Sequence, residues 1–411
     1  MAPRRGNVQR IAHRSIRFPS RYDRNSPESI FPPFSRPILH VGTQRALITG
    51  DTPGESTIPV TRHMKEKMQQ KMKVLSTIVE RTGIATVFRR AISGRSGLIL
   101  ALHRVLPAQE QSLCYNPHLV LSESAFVSLL QLLQRDYHVV PLEDILADPG
   151  GSEGHPKVAI TFDDGWEDNY RVAFPHLVRF AMPATIFACT GLIDTLQLLP
   201  EERFARLWSQ CSARSTLEEL VIDLNHWGMG RSKNPRLRPR QQYWSLELKR
   251  MPLSARLLLL DHLEQRYQMT IPQSHRFLTW EQVRIMTRTG LVRVGSHTHR
   301  HATLSSESDR DIRQELDESS ISLWKQAGAA SDVLAYPNGM YNRRVQELVR
   351  SMGFKAALST IPGFFTRESN RLAIPRIAVD NTTVTDTGSH LSTSRASFYF
   401  LSSGLRSAAS F

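Results

Sequence analysis

From Gly97 onward the apolar positions alternate between two textures. Gly97–His103 (GLILALH) is a short, continuously apolar run of the kind a buried parallel strand needs. Ser122 stands before a stretch in which Phe126, Leu129, Leu130 and Leu133 share one helical face, so a capped amphipathic helix is predicted there. Further strands are predicted over Tyr137–Val140, Lys157–Phe162, Met182–Cys189, Leu291–Val294, Leu334–Tyr336 and Lys355–Leu358. Strands separated by helical patterns imply βαβ units and a parallel sheet. Polar residues with chemical potential fall at the C-terminal ends of several of these strands, which favours a barrel over a doubly wound sheet.

Two regions depart from this rhythm. Between Gly191 and Phe277 the periodicity is helical, with Phe204–Trp208 and Leu257–Leu263 as apolar anchors. A helical insertion over about 192–277 is therefore expected across the barrel mouth. Within it, RSKNPRLRPR (231–240) places five cations in ten residues, read as a solvated basic loop. The other departure is the start of the chain. Residues 1–63 hold ten Arg, no Lys and four acids, with Pro, Ser, Thr and Gly throughout and no hydrophobic period, which reads as a disordered basic tail. From Met64 the pattern turns helical: Met64, Met68 and Met72 form a stripe that Leu75, Ile78 and Val79 continue, opposite Lys65, Lys67, Lys71 and Lys73. The expected division is a tail over 1–63, an amphipathic helix over 64–95, a barrel over 96–390 and a C-terminal tail over 391–411.

Composition narrows the class without choosing a fold. Apolar residues make up 40% and charged residues 22% of the 411, enough for a large core. The net charge of +14 favours anionic surroundings, and the basic helix suits either an anionic membrane surface or the flank of the barrel. Three cysteines (Cys114, Cys189 and Cys211) form neither a disulfide framework nor metal-finger spacing. No apolar run reaches the ~20 residues of a membrane-spanning helix, and the first thirty residues lack the apolar segment of a secretory signal. The expected location is cytoplasmic, with the membrane surface as a peripheral alternative.

Chemistry concentrates at two strand ends. Thr161-Phe162-Asp163-Asp164-Gly165 follows the apolar run Val158–Ile160. Adjacent carboxylates there repel one another and are costly to bury, a conflict that a nearby cation resolves. One carboxylate then ligates the cation and the other stays a poised base. Gly295-Ser296-His297-Thr298-His299-Arg300-His301 follows Leu291–Val294. His297 and His301 are four apart, so on a helical turn both imidazoles face the same way and His299 points elsewhere. Two histidines and one carboxylate make a common catalytic zinc shell that also accepts other divalent metals. A third strand runs into the Pro-Gly turn Tyr336-Pro337-Asn338-Gly339, which can offer a backbone N–H to a ligand.

Together these segments resemble the polysaccharide deacetylase (NodB-like) family, carbohydrate esterase family 4, over roughly residues 97–380. The resemblance is specific at TFDDG and at His-Thr-x-x-His and looser elsewhere. It implies a distorted (β/α)7 barrel and metal-dependent removal of N-acetyl groups from amino-sugar polymers. It makes Asp163 the catalytic base and assigns Asp164, His297 and His301 to the metal, with Zn2+ expected and Co2+ or Mn2+ as alternatives. It also puts the Asn338 N–H in the oxyanion hole. The chain departs from the family's third motif, Arg-x-Pro-aromatic-Gly, by having Ala335 for the Arg and Asn338 for the aromatic residue. Arg376, in Ile374-Pro375-Arg376-Ile377, is the candidate to replace that Arg beside the base. The family's Leu-x-x-His motif, which supplies the general acid, does not follow residue 340. Leu100-Ala101-Leu102-His103 stands near the front instead, as in the circularly permuted members, and makes His103 the expected acid.

Two rivals stay open at this stage. A deformylase acting on a lipid-linked sugar would keep every ligand and change only the insertion and loops. A non-catalytic glycan or nucleic-acid binder would account for the charge but leave two His and two Asp at strand ends without a purpose. The expected partner is thus an N-acetylated amino-sugar glycan, and no nucleic acid.

Overall fold

The computed structural model describes residues 84–151, 155–230, 240–269, 277–328, 332–386 and 391–408. Residues 231–239 of the basic loop, the expected tail over 1–63 and residues 64–83 of the expected basic helix lie outside them. Of that helix, Ile84–Ser93 falls among the described residues and is helical.

The apolar runs form the parallel sheet that their burial demands. Its strands are β1 (Ser96–Leu102), β2 (Lys157–Phe162), β3 (Ala184–Ala188), β4 (Val292–Ser296), β5 (Val333–Ala335) and β6 (Ala356–Leu358), each paired in parallel with the next. β1 is buried along its whole length, because both of its faces are covered. A last short strand, β7 (Ile377–Ala378), lies parallel to β1 in the register Leu100↔Ile377. The chain just before β7 bonds back to β6: Ile374 N–H donates to Ala357 O at 2.9 Å, and Ser359 N–H to Ile374 O at 2.8 Å. The segment 374–378 therefore bridges the two edges and curls the sheet into a barrel of seven strand positions. This is the distorted (β/α)7 architecture that the family resemblance implies. Phe365–Thr366 pairs antiparallel with β1, and His138–Val139 adds a parallel edge beside β2.

Strand alternation sorts the core. Ile99, Ala159, Phe187, Ala335, Leu358 and Ile374 fill the barrel interior. Leu98, Leu100, Val158, Ile160 and Ile186 face outward, where α1 (Glu123–Asp136) lays down Phe126, Leu129, Leu130 and Leu133. Ser122 caps α1 by accepting from Ala125 N–H at 3.2 Å. The stretch after residue 391, expected as a tail, instead holds a helix over Thr393–Ala408 whose Ala396 and Phe400 join this outer core. Burial of those two side chains gives the segment the anchorage a tail lacks.

β3 and β4 are sheet neighbours, yet about a hundred residues separate them. Among the described residues of that span stand four helices: α2 (Pro200–Ala213), α3 (Leu217–His226), α4 (Gln241–Lys249) and α5 (Leu253–Arg266). Phe204, Leu220, Trp244, Leu259 and Leu263 give these helices a core of their own. Arg256 of α5 ties them to the barrel. It is fully buried and donates to Thr303 Oγ1 at 3.0 Å, while Leu253 N–H donates to Glu307 Oε1 at 2.8 Å. After the insertion come α6 (Trp280–Arg288), α7 (Asp309–Ala327) and α8 (Arg343–Ser351), which pack outside the sheet. Among the described residues no helix is long and apolar enough to cross a membrane.

Candidate metal centre and active site

Asp163 and Asp164 follow the last residue of β2, and both are buried. Their side chains diverge, and each meets a different partner. Asp163 receives both ends of the Arg376 guanidinium, with Nη1 to Oδ1 and Nη2 to Oδ2 each at 2.7 Å. Arg376 immediately precedes β7, and its Nε donates to Ser359 O at 3.0 Å. A planar fork matched to a carboxylate fixes both position and charge. Burial would raise the Asp163 pKa, but the guanidinium outweighs it and holds the carboxyl below the usual carboxylate range. Arg376 thus stands beside Asp163, the position left open by Ala335.

Asp164 turns the other way, toward the histidines. Its Oδ2 accepts from Trp166 Nε1 at 2.9 Å. Its Oδ1 lies 3.4 Å from His297 Nε2 and 3.5 Å from His301 Nε2. Burial opposes its charge, yet the neighbouring imidazoles of His297, His301 and His103 hold its pKa well down. Its backbone is left-handed (φ 72°), and Gly165 follows at φ 82°. A Cβ on Gly165 would crowd Ala188 Cβ at 3.0 Å, so the DDG turn needs its glycine for both reasons.

The histidine segment departs from the predicted helical turn. Residues 297–301 form an irregular turn in which Thr298 (φ 64°) and His301 (φ 60°) are left-handed. Buried Glu315 of α7 shapes it: Oε2 accepts from His299 N–H at 3.0 Å and Arg300 N–H at 2.8 Å, and Oε1 from Arg300 Nε at 2.8 Å. The two imidazoles still converge, with ring centroids 5.1 Å apart. His299 turns out of the site to Thr190 Oγ1 at 3.0 Å.

The donor set suits a divalent metal. Asp164, His297 and His301 each offer a ligand atom, all within 4.8 Å of one another and all buried. Tetrahedral donors at about 2.0–2.2 Å from zinc stand roughly 3.3–3.6 Å apart, close to the separations found here. Tautomer agrees with geometry at His297. Its Nδ1 lies 2.8 Å from Ala335 O, which can only accept, so the proton sits on Nδ1 and the Nε2 lone pair faces Asp164.

His103 follows β1, next to the end of β2, and is partly exposed, with its backbone carbonyl accepting from Asn169 Nδ2 at 2.8 Å. Burial of its surroundings lowers its pKa, and the neighbouring Asp164 and Asp163 charges only partly restore it. Asn338, after β5, is left-handed (φ 59°), and its side chain donates to Glu201 Oε1 at 3.0 Å and Thr303 Oγ1 at 3.1 Å. All seven residues singled out from the sequence therefore lie at one end of the barrel or point toward it. Three that were not singled out join them: Glu201 and Arg256 from the insertion, and Glu315 from α7. Glu201 Oε2 lies 3.3 Å from His301 Nδ1, and its Oε1 accepts from Arg256 Nη1 at 3.1 Å. An acid in a helix's first turn is ordinary electrostatic design, so no local signal marks Glu201.

The chain is similar to the provisionally named polysaccharide deacetylase YxkH of Bacillus subtilis (strain 168), at 22% identity over 54% of this chain and 51% of that protein. It thus spans about half the length of that curated relative. Among solved structures it is similar to the Streptococcus pyogenes deacetylase PplD in complex with acetate, at 19% identity and TM-score 0.46, over 70% of this chain and 94% of the other. It is also similar to IcaB from Ammonifex degensii, at 17% identity and TM-score 0.47, over 75% and 98%. The polysaccharide deacetylase family model matches residues 150–223 and 247–357, which include both Asp residues, His297, His301 and Asn338 and leave His103 and Arg376 outside. On that match, this chain belongs to the polysaccharide deacetylase family.

Proposed function

We propose that the chain hydrolyses the N-acetyl amide of amino sugars in a poly- or oligosaccharide. The observation that carries this reading is the division of labour between adjacent carboxylates. Asp164 joins two histidines as a metal-ligand set, and Asp163 is paired separately with Arg376 and free of that set. Asp164, His297 and His301 would hold the metal, which we assign as zinc, with Co2+ and Mn2+ able to take the same donors. Such a metal supplies a water of lowered pKa and polarises the amide carbonyl. Asp163, ionised across the neutral range, accepts the proton of the attacking water. The Asn338 N–H contributes to the pocket for the developing oxyanion. His103 delivers a proton to the departing nitrogen, and its lowered pKa makes the protonated imidazole a stronger donor to a poor leaving group. The products are acetate and a sugar amine. His103 follows β1, the strand paired with β7, and that adjacency supports the circularly permuted reading.

The test is acetate release from chitooligosaccharides by the metal-loaded protein, with metal content measured on the same preparation. Stoichiometric metal together with acetate release is the expected result. Metal with formate release from N-formyl sugars, and no acetate, would move the substrate to the deformylase class. Neither metal nor release would overturn the catalytic reading.

A further inference from the structure

The inserted helices carry none of the motifs read from the sequence, yet one of their side chains stands behind a proposed metal ligand. His301 Nδ1 and Glu201 Oε2 are buried, and neither has a hydrogen-bond partner among the described residues. They are 3.3 Å apart. A buried donor and a buried acceptor each cost free energy when unmade, and here each is the other's natural partner. The rest of Glu201 is fixed: Oε1 takes the Arg256 guanidinium at 3.1 Å and the Asn338 amide at 3.0 Å. Arg256 in turn is held by Met251 O at 3.2 Å and Thr303 Oγ1 at 3.0 Å, two residues past His301. His297 provides the contrast within the same site. Its Nδ1 already rests on a barrel carbonyl, Ala335 O, at 2.8 Å.

We propose that Glu201, backed by Arg256, is a positioning residue for the metal ligand His301, so that the insertion is part of the metal centre. A metal on Nε2 commits the remaining proton of His301 to Nδ1, where the Glu201 carboxylate is the acceptor in reach. Metal binding and the docking of the insertion are then coupled: whatever loosens α2 from the barrel weakens the metal, and metal tightens that contact in return. The inference rests on the metal-centre reading of Asp164, His297 and His301, and the experiment below separates the two.

Co2+ is titrated into the full chain, its affinity taken from the visible spectrum, alongside the paramagnetically shifted exchangeable N–H signals of the ligand histidines. Wild type is expected to show two such signals, one from each Nδ1–H. E201Q should bind Co2+ about tenfold more weakly and E201A about a hundredfold, the usual range for losing the partner of a ligand histidine. In E201A one N–H signal should vanish into exchange with water while the one held by Ala335 O persists. A merely structural role would move neither signal alone. If E201A leaves Arg256 uncompensated and melts early, E201A/R256M removes the buried cation along with the carboxylate and carries the same expectations. Unchanged affinity with both signals intact would overturn the proposal. Failure of the wild type itself to bind Co2+ would overturn the metal-centre reading beneath it.

Discussion

The barrel holds its histidine with backbone, whereas the insertion reaches the other with a side chain. His297 is oriented by Ala335 O, a carbonyl locked into β5, whereas His301 faces a carboxylate carried on a helix whose core is separate from the sheet. Asp164 and Asp163 follow the same pattern as His297, fixed by a strand end and by an arginine in the barrel wall. What the barrel supplies rests on strand ends and on side chains beside them, such as Arg376 and Trp166. What the insertion supplies depends on Arg256, Glu201 and Asn338 remaining connected. The difference implies that barrel residues set whether the site exists and insertion residues set how firmly it is held.

The sharpest way to break this contrast is to remove a ligand. Asp164→Ala, His297→Ala and His301→Ala should each abolish stoichiometric metal and turnover, because two remaining donors hold the ion poorly. Asp163→Asn should keep the metal, read by elemental analysis, while turnover is lost. Equal metal loss in the Asp163 and Asp164 variants would reverse the roles given to the pair.

His103→Ala comes next in size. It should retain metal and fold but lower turnover on N-acetyl sugars by roughly 10²–10⁴, the worth of a positioned proton donor. An ester analogue, with its better leaving group, should lose much less. Because the acid must be protonated and its pKa lies below the ordinary histidine value, the amide rate should fall as pH rises through that lowered value. In His103→Ala this alkaline fall should disappear. Equal losses on ester and amide would remove His103 from the reaction.

Much of the barrel side was legible from sequence, and the reason is physical. A fully buried parallel strand needs an unbroken apolar run, so GLILALH and KVAITF declare themselves, and the functional groups follow directly at their ends. The DDG turn and the histidine cluster are local in the chain, so their composition carries their meaning. The shape of the histidine turn was not legible. The i, i+4 spacing of His297 and His301 imitates a helix, but left-handed Thr298 and His301, supported by Glu315, bring the rings together by another route. Glu201 and Arg256 were equally silent. Each looks like surface charge on an amphipathic helix, and only the packing of α2 and α5 against the turn after β4 shows what they touch. Arg376 was noticed because a family position was vacant, not because Pro375-Arg376 signals anything alone.

Arg376→Met tests the barrel's own electrostatics. Arg376 and Asp163 are 1% and 2% exposed, so removing the cation leaves a buried carboxylate unpaired, at a cost of about 3–5 kcal/mol. In the folded wild type Asp163 is held below its ordinary pKa, so the pairing stabilises above the usual aspartate range and is lost as pH falls through the lowered value. In Arg376→Met burial is opposed only by the weaker influence of His297 and His103, so that pKa rises. The variant should therefore lose most stability at neutral pH and approach the wild type in acid. Metal-free melting curves from pH 3 to 8 measure this, and a pH-independent difference would show that the pair does not titrate as a unit.

The smallest expected effect lies at the seam between the two regions. Asn338 does two separable things: its backbone sits at φ 59°, and its side chain links Glu201 and Thr303. Asn338→Gly accepts the left-handed backbone and deletes the link, whereas Asn338→Ala deletes the link and adds strain of about 1 kcal/mol. The alanine variant should thus be the less stable of the two by about that amount in thermal melts. Neither substitution removes the backbone N–H assigned to the oxyanion pocket, so turnover should fall less than tenfold in both, against the 10²–10³ expected for a lost oxyanion donor. A hundredfold loss in Asn338→Gly, with stability and metal affinity unchanged, would show that the side chain itself meets the substrate. The third-motif position would then belong to the reacting site directly and not through its turn.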